Sequence, residues 1–260
     1  MKWTKTKTTV LAGAAILTVT LVAKCQLAQV KDSLFDADAA NLRQLPPDLV
    51  VVRPTHFGQL SSKIRHLHDD NGESITRTLG CDVSLRDAMA EAYDCNPSRV
   101  VLPPDAPTGG FDFLVTTTEG TREHLQAAIR EKLGFIAQRK TRDTDVLVMK
   151  VADANLPGLT ASADDEKARV FYKDGKLYFQ HQQLTVLLNG LSQGLQLPVL
   201  DQTCLTNYYD FSVGWNSTTA ETMQKGAFDL DGVKKVLGRW GLRLESDTEA
   251  MDMFVVEEAR

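Results

Sequence analysis

The chain has 260 residues, a length that allows one or two globular domains. Its apolar fraction of 43% and charged fraction of 24% are ordinary for a chain that buries a hydrophobic core. The formal net charge of −5 argues against nucleic acid or an anionic membrane surface as the main partner, because polyanions require a basic face.

Residues 1–28 are typical of a secretory signal peptide or an N-terminal anchor. Lysines at positions 2, 5 and 7 precede a run of 14 uncharged, mainly apolar residues at 10–23, which is short for a membrane span. We expect export to the periplasm or the exterior, with attachment to the inner membrane only through this N-terminus. Whether the segment is cleaved stays open. Without it, 25 basic residues face 34 acidic ones, a net charge of −9.

The four cysteines raise two questions, lipidation and disulfide pairing. Cys25 follows Lys24, where a lipoprotein signal has a small residue, and this favours an ordinary signal or anchor. The other three cysteines are an odd number for an exported chain. A predicted helix separates Cys81 from Cys95 beyond disulfide reach, whereas a bridge from Cys95 to Cys204 and buried thiols both remain open.

In the first half, a polar, alanine-rich linker at 29–44 precedes elements in the order β-α-β-β-α-β-β. Ser84 stands at the N-cap position of the first helix, and Gly134 stands where a left-handed residue ends the second. Residues 58–80, with an Asp-Asn-Gly turn, predict a loop or a loose hairpin. The predicted elements are a strand at 49–53, a helix at 83–95, strands at 99–102 and 111–116, a helix at 121–133, and a hairpin of 135–139 and 146–151.

The second half follows an acidic linker at 157–168 and repeats this order with an extra strand at its front. Asp174-Gly175 between aromatic-rich runs predicts a two-residue hairpin. The later elements are a helix with leucines at 184, 187, 188 and 191, a strand at 197–200, a strand that contains Tyr-Asp-Phe, a helix at 230–240 ended by Gly241, and a hairpin of 242–245 and 251–257.

The two halves align with each other, which indicates an internal repeat. Gly134 and Gly241 lie 107 positions apart, and at this offset residues 146–149 fall on 253–256. We therefore predict an α+β fold of two tandem β-α-β-β-α-β-β domains, at 45–156 and 169–260, each with a small mixed sheet packed against two helices. One continuous sheet shared by both halves is the alternative that the sequence leaves open.

Sequence motifs in the second half resemble a known family. The string Asp-x-Thr-x-Leu-Thr is followed by Tyr-Asp-Phe and then by Gly-Leu-Arg-Leu-Glu at 241–245. These motifs resemble an uncharacterised family of exported soil-bacterial proteins, a domain of unknown function, over about 45–256. Cys204 stands where the family pattern has glycine, so a left-handed turn there would be strained. The motif residues are Asp201, Thr203, Leu205, Thr206, Asp210 and Phe211.

The resemblance implies a role outside the cytoplasm. In that family the domain also occurs fused behind membrane-bound metallopeptidases of the antibiotic-sensor type, which implies sensing or binding. The repeat unit is also similar to the short N-terminal domain of secretins and TonB-dependent receptors, a likeness of fold that does not carry function.

No catalytic motif emerges from the sequence. A serine-nucleophile elbow, an S-x-x-K motif and a phosphate-binding glycine loop are all missing, so we expect no cofactor and no enzymatic activity. His66 and His68, with Asp69, have metal-ligand character, because alternate strand residues share one face. No further histidine follows at the expected spacing, which favours a solvated loop. Asp201 and Asp210 could pair as carboxylates, although a turn cap and an exposed strand position explain them more simply.

Aromatic side chains form the predicted binding surface, because hairpin aromatics stack on peptides or glycans. Core packing explains at least half of them. We expect an exported, non-enzymatic binding or scaffold module that recognises a protein or cell-envelope ligand by strand addition. The alternatives are a sensor or regulatory partner of a membrane metallopeptidase and a metal-dependent hydrolase that uses His66 and His68. The aromatic residues are Phe171, Tyr172, Tyr178, Phe179, Tyr208 and Tyr209.

Overall fold

The computed structural model describes residues 34–35, 39–56, 63–68, 75–117, 119–163, 167–174, 176–214 and 228–259. The predicted signal or anchor at 1–28, Cys25 and Asp69 lie outside these ranges. Within them, no helix has both the length and the apolar character that crossing a membrane requires. The predicted α+β class is confirmed, since helices accompany small sheets.

Five α-helices and twelve strands occur in the described ranges. The helices are α1 (Ala39–Gln44), α2 (Leu85–Ala92), α3 (Thr121–Leu133), α4 (Leu184–Leu195) and α5 (Leu230–Arg239). The strands are β1 (Val50–Pro54), β2 (Lys63–His68), β3 (Ile75–Val83), β4 (Val100–Val101), β5 (Phe111–Val115), β6 (Phe135–Val151), β7 (Thr160–Ala161), β8 (Arg169–Lys173), β9 (Lys176–Gln182), β10 (Val199–Asp201), β11 (Tyr209–Gly214) and β12 (Leu242–Glu258).

The chain forms two compact units, and neither is continuous in sequence. The first contains the described residues up to Ser84 together with Thr108–Leu133, and the second contains Leu85–Pro107 together with the described residues from Gly134 onward. These limits do not coincide with the predicted boundaries of 45–156 and 169–260. Within the first unit, the antiparallel sheet has the order β1-β5-β3-β2, and α3 packs on β1, β3 and β5.

The second unit contains two sheets and the larger apolar cluster. One sheet has the order β10-β6-β12-β4, and the other has the order β7-β11-β9-β8. Leucines at the i, i+3, i+4 and i+7 positions of α4 face the same cluster as Val233 and Leu237 of α5. This cluster also includes Phe211 and Trp240, so the aromatic core of the unit lies beneath both helices.

Two predicted hairpins are wrong. Residues 135–151 and 242–258 each form a single 17-residue strand, β6 and β12, and the two strands pair antiparallel along their whole length. The polar middle of β6 resembled a turn, but cross-strand partners accommodate its charges, as when Arg139 donates to Asp252 at 2.8 Å. Strands of both halves therefore share this one sheet, while each half also forms a four-stranded sheet of its own, so neither two independent sheets nor one continuous sheet describes the arrangement.

Equivalent elements occur in both halves of the chain. The orders β1-β5-β3-β2 and β7-β11-β9-β8 match strand for strand, and each 17-residue strand follows a helix that ends at a glycine. Gly134 and Gly241 have φ of 76° and 79°, which confirms the predicted left-handed ends. The short parallel strand β10 pairs with β6, and the short parallel strand β4 pairs with β12.

A carboxylate contact recurs in the two antiparallel sheets. Oδ1 of Asp112 on β5 accepts a hydrogen bond from the backbone N–H of Asp82 at 3.1 Å. Oδ1 of Asp210 on β11 accepts one from the backbone N–H of His181 at 2.8 Å. Both donor residues have positive φ, 51° and 48°, and each lies three positions before a helix. In each sheet, an aspartate thus holds the left-handed residue that leads from strand to helix.

Candidate ligand-binding surface

Strands β8 and β9 form a hairpin, called here the edge hairpin, at one end of the sheet β7-β11-β9-β8. Only β9 pairs with β8 among the described strands, so the other side of β8 is a free edge. All five residues of β8 are exposed. Proteins usually protect such an edge, because its unpaired N–H and C=O groups can accept another strand.

The register of the edge hairpin decides which face each apolar side chain occupies. Val170 lies opposite Phe179, and Tyr172 lies opposite Leu177, so these side chains share the face toward the core. Phe179 is only 8% exposed, whereas Val170 and Tyr172 on the edge strand are 49% and 64% exposed. Strand β8 therefore continues the core-facing side of the sheet into a region where its apolar side chains stay exposed.

The opposite face of the edge hairpin, called here the outer face, combines aromatic rings with positive charge. Phe171 stacks on Tyr178, with ring centroids 5.2 Å apart and planes 8° from parallel. The register places Arg169 opposite Gln180 on this face, and it places Lys173 directly opposite Lys176. Like charges in opposed positions disfavour the hairpin by itself, so an anionic group bound there would relieve the repulsion.

The remaining predicted aromatic residues lie in different environments. Phe179 and Tyr209 are buried, and Phe179 stacks on Phe211 with centroids 4.6 Å apart. Tyr208 is exposed and stacks on His181, with centroids 4.2 Å apart and planes 1° from parallel. The six predicted residues therefore divide into two core residues, Phe179 and Tyr209, and four with exposed or partly exposed rings.

Histidine 181 is a residue of this surface that the sequence did not single out. Its backbone donates to Asp210, and the same carboxylate oxygen accepts a hydrogen bond from Oγ of Ser162 at 2.6 Å. Nδ1 of His181 is buried and has no hydrogen-bond partner in the described part of the chain. The sequence did not indicate the role of His181, because no sequence pattern marks its positive φ and because Tyr208, on which its ring stacks, lies 27 positions further along the chain.

The family motif around Asp201 forms a tight turn after β10. Oδ1 of Asp201 accepts hydrogen bonds from N and Oγ1 of Thr203, at 2.8 and 2.6 Å. Oγ1 of Thr203 accepts one from the backbone N–H of Leu205 at 3.2 Å. Cys204 has a φ of 58°, the left-handed conformation anticipated from its glycine-like position, and Thr206 follows in an exposed position. Asp201 and Asp210 thus bond to different groups, each within its own local structure.

The histidine pair lies on β2 in the first unit. The rings of His66 and His68 have centroids 6.3 Å apart and are tilted by 58°. Both residues are exposed, as alternate positions of an outer strand allow. No group of three or more His, Cys, Asp or Glu residues suited to a metal ion occurs within the described ranges, so these do not supply the pair with a complete ligand set.

The three described cysteines, Cys81, Cys95 and Cys204, are free thiols. Burial raises the pKa of the Cys95 thiol to about 11, outweighing the opposing effect of Arg99. A thiol with so high a pKa stays protonated near neutral pH, and the protonated form is a weak nucleophile.

The chain belongs to the family described as "Protein of unknown function (DUF3738)", whose model matches residues 86–259. Comparisons with curated proteins and with solved structures find no match to the chain. The family match confirms the predicted resemblance to a domain of unknown function. Export, soil-bacterial origin and the likeness to secretin and TonB-receptor domains stay predictions. The second unit begins at Leu85, and the family match begins one residue later, at residue 86.

Proposed function

We propose that the protein is an exported, non-enzymatic binding module of the cell envelope that takes up a protein ligand at the free edge of β8. The observation that carries the proposal is the run Val170, Phe171 and Tyr172, three consecutive apolar residues that are all exposed on an edge that no other described strand pairs with. Natural edge strands are often protected by charged side chains or by a covering segment, and the three central residues of β8 are neither charged nor covered by described parts of the chain.

The hairpin geometry supports strand addition as the binding mode. In an antiparallel pair, opposed residues alternate between two kinds of position. In one kind, the backbone N–H and C=O groups of the two residues bond to each other, and in the other kind these groups point away from the partner strand. Lys173 and Lys176 form the pair nearest the two-residue turn, and such a closing pair is hydrogen-bonded. Counting from it, Val170 and Tyr172 direct their N–H and C=O groups toward the free edge. An extended peptide would bond to these groups and contact the apolar side chains beside them.

A substitution on the edge tests this proposal. Tyr172→Pro removes one outward N–H and leaves the bonds between β8 and β9, because proline is tolerated on the open side of an edge strand. Val186→Ser is the matched control, since Val186 is also an exposed apolar residue but lies on α4. We expect wild-type protein and the Val186→Ser variant to retain the same binding partner from cell-envelope extracts, and the Tyr172→Pro variant to lose it. Equal recovery by all three proteins would contradict the proposal.

A regulatory role beside a membrane metallopeptidase is a narrower form of the same proposal, and it rests on the predicted family resemblance. It uses the same surface but names the partner. Mass spectrometry of the retained proteins separates the two, because only this narrower form requires a metallopeptidase among those that Tyr172→Pro loses.

A further inference from the structure

We propose that the segment added to β8 is an extended peptide of another protein, with two acidic side chains four positions apart. This inference rests on the proposed function and specifies the chemistry of the ligand. It follows from the charges of the edge hairpin and from the face on which they lie.

The cations of the edge hairpin differ from three cations on the β6–β12 pair of the same unit. On the β6–β12 pair, Arg139 contacts Asp252, Lys140 contacts Glu257 and Lys150 contacts Glu245. By contrast, strands β8 and β9 contain three cations and no acidic residue, and none of these cations has an ion-pair partner among the residues that the structure describes. The three cations are Arg169, Lys173 and Lys176. Asp174 in the turn offsets one of these charges, so the described hairpin keeps an excess of positive charge in a chain of net charge −5.

The spacing of these cations fits an added strand. Arg169, Phe171 and Lys173 alternate along β8, so their side chains lie on the outer face at intervals of about 7 Å. A neighbouring strand in register places every second side chain on that face. Acidic residues four positions apart would lie beside Arg169 and Lys173, and an apolar residue midway between them would contact the Phe171–Tyr178 stack.

A second copy of the chain is a poor occupant of this edge. Antiparallel pairing of two β8 strands centred on Phe171 aligns all five residues of each strand. That register sets Arg169 of each copy opposite Lys173 of the other, and like charges directly opposite are unfavourable. The same charges attract an acidic strand, so charge complementarity selects a different protein.

Two synthetic peptides test the inference against the full-length protein. The acidic probe is acetyl-Thr-Glu-Thr-Val-Thr-Glu-Thr-amide, and the basic probe has lysine in place of glutamate. We expect fluorescence anisotropy in low salt to show at least about tenfold tighter binding of the acidic probe, with the difference shrinking as salt screens the charges. Arg169→Glu with Lys173→Glu should reverse the preference, whereas Lys235→Glu with Arg239→Glu, an equal charge change on α5, should preserve it.

An N-methylated acidic probe distinguishes strand addition from simple charge attraction. Methyl groups on the alternate amides that face β8 remove the N–H donors to the carbonyl groups of Val170 and Tyr172 but keep both glutamates, so this probe should bind at least about tenfold more weakly. Equal binding of the methylated and plain probes, or no preference for acid over base, would overturn the inference. The proposed function and the acidic chemistry of the ligand can fail independently. A partner that is lost with Tyr172→Pro but retained after charge reversal would uphold the proposed function and refute only the acidic character of the ligand.

Discussion

The two glycines that end α3 and α5 allow a matched test of local structure. Gly134 and Gly241 have nearly equal φ, 76° and 79°, and both belong to the second unit. A Cβ at Gly134 would meet no heavy atom within 4 Å, whereas a Cβ at Gly241 would lie 2.9 Å from the backbone oxygen of Asp153 and 3.2 Å from Cδ of Pro157. The two positions therefore share the conformational cost of alanine but differ in the space around it.

The expected losses of stability follow from these distances. Alanine in a left-handed conformation costs about 1–2 kcal/mol, and the reduced freedom of the unfolded chain offsets about 0.4–1 kcal/mol of that. Gly134→Ala should then cost about 1 kcal/mol. Gly241→Ala should cost about 2–4 kcal/mol, because overpacking adds about 1–3 kcal/mol. The carbonyl of Gly241 also accepts hydrogen bonds from Ala152 and Asp153, so the nearby loop cannot withdraw freely.

Urea unfolding of both variants and the wild type measures these costs, with the slope of each transition compared to confirm that the same surface unfolds. The sign of the difference between the variants is the decisive quantity. If Gly134→Ala proves as destabilising as Gly241→Ala, the crowding around Gly241 is not what distinguishes the two sites.

Two further predictions concern single side chains. Cys204→Gly should raise the free energy of unfolding by about 1 kcal/mol, because φ of Cys204 is 58° and its side chain is exposed. Cys204→Ser keeps the strained backbone, so urea unfolding should show a change of less than about 0.5 kcal/mol. Equal effects of the two substitutions would contradict strain at this turn. The hydrogen bond from Lys150 lowers the pKa of Glu245, so its stabilising effect is present above the pKa of the unfolded chain and is lost as the pH falls through the folded value. An NMR titration should find the pKa of Glu245 below its ordinary range, and Lys150→Ala should raise it; an unchanged pKa in the variant would refute the pairing.

The sequence predicted the local elements well, because their signals are local. An apolar stripe followed by glycine placed α3 at its observed bounds, and Asp174-Gly175 placed the turn of the edge hairpin. The error fell on β6 and β12. A charged stretch such as 139–145 resembles a turn until its partner is known, and its pairing residues are 103 to 115 positions away. Long-range pairing leaves no signal in a short window of sequence.

The candidate surface was predictable only in part. The aromatic composition of β8, β9 and β11 was visible in the sequence, but exposure depends on which strand lies at the edge of the sheet. Tyr172 and Phe179 have similar surroundings in the sequence, yet one is exposed and the other buried because β8 is outermost and β9 is not. The sequence likewise could not show that the three hairpin cations lack an ion-pair partner among the described residues, because that depends on where all described acidic residues lie in the fold.

The pairing of β6 with β12 has a consequence for how the chain reaches its native state. Val151 pairs with Leu242 and Phe135 with Glu258, so the contacts between β6 and β12 close loops of 91 to 123 residues. Closing a loop of that size costs roughly 4 kcal/mol in chain entropy before any ladder contact offsets it. A topology dominated by such distant contacts folds slowly compared with a helical bundle. Strand β12 must therefore be synthesised before the sheet can assemble. Until then, the backbone N–H and C=O groups of β6 that bond to β12 have no partner strand.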